Sequence, residues 1–116
     1  MADVYQVTLT APSRDEADRL GRQAVERRLA ACAQVSGPIT STYWWEDQVT
    51  TAPEWVCVLK TTAAHLEPLM AHLQAAHSYE TPEIIATAVE GGSPAYLAWV
   101  AETTGPLRPR GPRALG

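Results

Sequence analysis

The chain has 116 residues, 46% of them apolar and 19% charged, with a formal net charge of −4. That length suits one domain with a real hydrophobic core, and the composition excludes a disordered chain. From Met1 to Thr104 there are 6 basic and 13 acidic residues, a net −7, which argues against binding a nucleic-acid backbone.

Tyr5, Val7, Leu9 and Ala11 alternate with Gln6, Thr8 and Thr10, which predicts a half-buried strand over about 3–11. Ser13 followed by Glu16 reads as a capping box, opening a helix that runs to about Ala31. Ala17, Leu20, Gly21, Ala24, Val25 and Leu29 form its apolar stripe. Strand character returns at Ala33–Val35, bends at Gly37-Pro38, and resumes from Ile39 to Glu46. Asp47-Gln48 is read as the tight turn into a third strand, Val49 to Thr61. Pro53 suggests an edge or irregular position there, and the apolar run Trp55–Leu59 suggests burial on both faces. A second helix is expected over Ala64–His77 with Pro68 near its first turn. Ile84–Glu90 is the fourth strand. Ser93-Pro94 starts a last helix that Gly105-Pro106 stops near Thr104.

This order is β-α-β-β-α-β plus a C-terminal helix, an α+β chain of the ferredoxin-like split βαβ class. Residues 1–104 form the domain and 105–116 a Pro/Arg/Gly tail read as flexible. Two helices cover one sheet face and leave the other bare. The long middle hairpin carries Tyr43, Trp44, Trp45 and Trp55. Both features favour an oligomer, because exposed aromatic strands aggregate unless covered.

Cys32 and Cys57 form no CxxC pair. Both are expected to be buried and inert, and they suggest a reducing, cytoplasmic setting. No secretory leader or membrane-spanning run is apparent, so no membrane partner is expected. No P-loop, GxGxxG, nucleophile or zinc-protease motif occurs, which points away from an enzyme.

Five segments in register resemble the CutA divalent-ion tolerance family. They are Leu29-Ala30-Ala31-Cys32-Ala33, Tyr43-Trp44-Trp45-Glu46, Lys60-Thr61-Thr62, His77 through Ile84, and Tyr96-Leu97-Ala98-Trp99. Ser78 and Asp47 stand where that family usually has Pro and Gly. The resemblance implies a homotrimer with inward-facing sheets and strands pairing between subunits. It also implies a role in tolerance of divalent metal, copper above all, and an architecture similar to the PII signalling proteins.

Copper calls for histidine, thiolate or carboxylate donors. The candidates are Cys32, Cys57, His65, His72, His77, Glu46, Glu80 and Glu83. His65 and His72 lie seven residues apart, about 10 Å of helical rise, too far to chelate one ion, and are read as surface or boundary residues. His77 with Glu83 is the metal site the resemblance favours, although Leu9 replaces the first-strand Cys of some relatives. The alternative is that His77 only caps its helix. Tyr43, Trp44, Glu46, Lys60, Tyr79 and Glu80 are expected in a cleft between subunits, as a small-effector pocket or as plain interface.

Overall fold

Val7, Leu9 and Ala11 are fully buried on one face of β1 (Val4–Ala11) and nucleate the main core. The structure, a computed structural model, describes residues 3–105. The expected tail falls outside the described residues from 106 onward.

Helix α1 (Arg14–Glu26) packs Ala17, Leu20, Gly21 and Ala24 against that face. It stops five residues earlier than the apolar stripe suggested. Arg28 adopts φ 60°, its N–H donates to the Val25 carbonyl, and the Leu29 N–H donates to the Ala24 carbonyl. These are the two bonds of a Schellman motif, built here on Arg instead of the usual Gly. Ala30 and Ala31 are buried for another reason: the Ala31 N–H joins the Lys60 carbonyl, and Thr61 Oγ1 donates to the Leu29 carbonyl at 2.7 Å.

Strand β2 (Cys32–Trp45) continues through the predicted bend, with an irregularity between Ser36 and Ile39. Gly37 is required there: its φ is +146°, and a Cβ would lie 2.7 Å from the Trp55 ring. The turn falls one residue earlier than expected. Trp45 pairs with Gln48, leaving Glu46 and Asp47 as the central residues at φ 50° and 62°. Positive φ at both positions is the I′ geometry that two-residue hairpins favour.

Strand β3 (Gln48–Thr62) pairs with β2 and β1, and β1 pairs with β4 (Ile84–Ala88), giving an antiparallel sheet ordered β2-β3-β1-β4. The 55–59 run is not buried on both faces. Cys57 and Leu59 are buried, whereas Val56 and Val58 are half-exposed on the opposite face. Pro53 does lie at an edge position. Pairing with β1 ends at Trp55, so beyond it β2 and β3 project as a two-stranded ribbon and Pro53 lacks a neighbour on one side.

Helix α2 (Ala63–Ala76) places Leu69 and Leu73 in the core, and Pro68 lies inside the helix, past its first turn. Helix α3 (Pro94–Thr104) starts on the predicted Ser93 cap, whose Oγ accepts the Tyr96 N–H. It packs Val100 and Leu97 against Val4 and Ala31, at one end of the otherwise uncovered sheet face. No helix among the described residues is long and apolar enough to cross a membrane.

Candidate functional site

The loop after α2 ties four elements together through His77. This side chain is fully buried, with 0% exposure. Its Nε2 donates to the Thr10 carbonyl at the end of β1 at 2.7 Å. Its Nδ1 accepts the Tyr79 N–H at 3.0 Å. One nitrogen as donor and the other as acceptor assigns the ring tautomer from the network. Glu16 Oε2 lies 3.4 Å from the same Nδ1.

Glu16 completes only half of the expected capping box. Ser13 Oγ accepts the Glu16 N–H at 3.1 Å, but the Glu16 carboxylate turns away from the cap toward the loop after α2 and accepts the Ser78 N–H at 2.8 Å. Burial by itself would raise this carboxyl. The Ser78 amide and hydroxyl, with His77 and Arg19 nearby, overcome that and hold it below its ordinary value.

Tyr79 then reaches the hairpin of its own chain. Its hydroxyl donates to Glu54 Oε2 at 3.2 Å, and Ser41 Oγ donates to Glu54 Oε1 at 2.7 Å. Burial, the Glu54 carboxylate and the nearby Tyr43 push the Tyr79 phenol up to about 12. Glu54, Ser41, Glu16 and Thr10 are hydrogen-bonded neighbours of this loop that sequence reasoning missed. Glu16 carried a signal but was assigned to a cap; Thr10 contributes only its backbone, which no side-chain pattern reveals.

The other expected site residues are scattered. Lys60 lies on the bare sheet face, where its Nζ donates to Gln34 Oε1 at 2.8 Å. Six strand residues, roughly 20 Å, separate it from Glu54. Trp44 and Glu46 sit exposed at the ribbon tip, and Glu80 and Glu83 are exposed in the loop before β4. His77 and Glu83 are thus a buried ring with both nitrogens engaged and an exposed carboxylate. Among the described residues no group of three or more His, Cys, Asp and Glu side chains comes together. Leu9 is fully buried core. Among the described residues of one subunit the donors therefore do not form a multi-ligand metal centre, and His77 could bind an ion only by giving up one of its hydrogen bonds.

Two further expectations are corrected. Cys57 is buried, and desolvation pushes its thiol up to about 11, as an inert thiol requires. Cys32 is only half-buried and lies 3.3 Å from the Tyr96 hydroxyl. That hydrogen bond, with burial, pushes the Tyr96 phenol up to about 12. His65 is not a boundary residue either: it is 4% exposed.

The sheet order, the two helices on one face and the third on the other define a ferredoxin-like split βαβ subunit with an added C-terminal helix. The family described as CutA1 divalent ion tolerance protein matches residues 5–103, and the chain belongs to it. The CutA 1 protein of rice, described as chloroplastic, is 37% identical over 84% of this chain, which spans 55% of the rice protein's length. The divalent-cation tolerance protein CutA of Archaeoglobus fulgidus is 37% identical over 84% of this chain and 94% of its own. Its solved structure, described as periplasmic, superimposes with a TM-score of 0.84, covering 88% of this chain and 99% of that one. CutA from Xylella fastidiosa superimposes with a TM-score of 0.87 at 36% identity, covering 90% and 100%. Periplasmic and chloroplastic relatives overturn the cytoplasmic assignment made from the cysteines. Two unpaired thiols are compatible with more than one compartment, so they could not carry it.

Proposed function

We propose that this chain acts in divalent-cation tolerance as a homotrimer, using the bare sheet face and the projecting ribbon as its contact surfaces. The carrying observation is the ribbon. Tyr43, Trp44, Trp45 and Val49 are 42%, 73%, 62% and 62% exposed on a two-stranded extension beyond β1. An isolated two-stranded hairpin is marginal in water, and aromatic surface of this kind is ordinarily covered by a partner. The names of the relatives, divalent-cation tolerance proteins, support the functional half of the reading.

Copper at His77 and Glu83 is the finer part of the proposal and would be a weak Cu(II) site. The ring would have to give up Thr10 or Tyr79 to present a lone pair, and no thiolate stands nearby to compensate.

The second reading is a PII-like effector cleft, with Tyr43, Trp44 and Glu46 of one subunit facing Lys60 and Glu80 of the next. The exposed aromatic wall of Tyr43 and Trp44 supports it, since aromatic side chains with a few polar groups line ligand pockets, whereas Lys60 lies apart from Tyr79 within one subunit.

Native mass spectrometry before and after equimolar Cu(II) tests these readings. A trimer supports the proposal. Copper retained by it and lost in Glu83→Gln supports the metal site, while a bare trimer limits the role to assembly or an effector. A monomer would overturn the proposal.

A further inference from the structure

The ribbon leaves the body of the subunit at a point where the sheet is thin. Pairing between β3 and β1 ends at Trp55, opposite Ala11. At the same level the β2–β3 ladder is interrupted between Ser36 and Ile39. An irregularity of this kind disrupts the ladder locally and lets the strand pair bend. Beyond it, from Ile39 and Glu54 outward, the ribbon runs on two strands alone.

One side-chain hydrogen bond spans this hinge. Among the described residues, the Tyr79 hydroxyl to Glu54 Oε2, at 3.2 Å, is the one that joins residues 39–54 to the rest of the subunit; Ser41–Glu54 and Thr42–Thr51 stay within the ribbon. Both of its ends are held. The half-buried Glu54 carboxylate accepts Ser41 of β2 on its other oxygen at 2.7 Å, so it grips both strands. Tyr79 packs its ring 4.9 Å from that of His77 and donates its N–H to His77 Nδ1. His77 is fixed in turn to the Thr10 carbonyl, beside the ribbon root at Ala11. A carboxylate acceptor makes the spanning bond stronger than a neutral one.

We propose that Tyr79 and Glu54 form a brace that sets the angle of the ribbon to the body, and so lets subunits close into a ring of one size. The inference rests on the ribbon being an assembly surface, as proposed above.

Leverage gives the brace its effect. Residues 48–54 of β3 span about 20 Å, so a tilt of about 10° at the root moves the tip by roughly 3–4 Å. Side chains touch only within about 4.0–4.5 Å, so a shift of that size exchanges one set of contacts for another. Subunits joined head to tail close a ring only when the rotation between them is right, and otherwise stay open.

Native mass spectrometry of the full chain over a dilution series tests the brace. Tyr79→Phe removes only the hydroxyl and leaves the ring on His77. The trimer should then dissociate at about tenfold higher concentration, the cost of losing one bond to a charged acceptor, and species of other sizes should appear beside it. Circular dichroism should stay native. Glu54→Leu should act alike, and adding Tyr79→Phe to it should change nothing further, because the bond is already gone. If one single variant does not fold, the dilution series on the other decides. Unchanged dissociation and ring size in a folded single variant, or fully additive effects in the double variant, overturn the brace and leave the assembly reading standing. A monomeric native chain overturns the assembly reading and the brace with it.

Discussion

A single imidazole organises the loop that the family resemblance singled out. His77 donates a hydrogen bond to the Thr10 carbonyl and accepts one from the Tyr79 amide, so it works as a buried connector between β1 and the loop. Replacing it with Leu leaves the Thr10 carbonyl and the Tyr79 N–H without partners inside the protein. We expect His77→Leu to lose about 2–4 kcal/mol of stability, measured by urea denaturation, because buried orphaned polar groups carry their full desolvation cost. A loss below about 0.5 kcal/mol, the range of an ordinary surface change, would contradict the connector role. Part of this residue scale was legible in the sequence. The His77–Ile84 segment stood out by its pattern, and the capping signal marked Glu16. The partners did not stand out, because Thr10 acts through its backbone and Glu54 arrives from a strand 25 residues away from Tyr79.

At the scale of elements, close approach governs what the helices tolerate. A Cβ on Gly21 would meet Ala33 Cβ at 2.9 Å and Cys57 Sγ at 3.0 Å, so α1 rests directly on β2 and β3 at this point. Alanine would improve helix propensity by about 1 kcal/mol, yet overpacking costs about 1–3 kcal/mol. The neighbours are a backbone-anchored methyl and a buried sulfur, neither of which swings away, so the second effect should win. Thermal denaturation of Gly21→Ala should show a net loss; a raised Tm would mean that α1 can shift outward at little cost. The same scale explains the early end of α1. Apolar spacing continued to Leu29, but tertiary hydrogen bonds from Ala31 and Thr61 claimed the segment for the sheet edge, and Arg28 accepts an unfavourable φ to let the chain turn.

For the whole molecule, the question is what covers the ribbon and the half-buried Val56 and Val58 face. If a trimer does, charging the ribbon tip should weaken assembly without unfolding the subunit, since Trp44 and Trp45 lie outside the core cluster. Trp44→Lys with Trp45→Lys should therefore shift light scattering toward smaller species while circular dichroism stays unchanged. An undiminished trimer would place the contact elsewhere on the sheet.

Periodicity by itself determined the order of elements, the ferredoxin-like class and the cap of α3. These follow from local backbone preference and from the need to bury one stripe per element. Only the tertiary structure decided that the 55–59 run is buried on one face, that the hairpin turns at Glu46-Asp47, that both His77 ring nitrogens are engaged, and that His65 is buried. Each of those depends on which distant segment arrives opposite a residue, and sequence spacing carries no record of that.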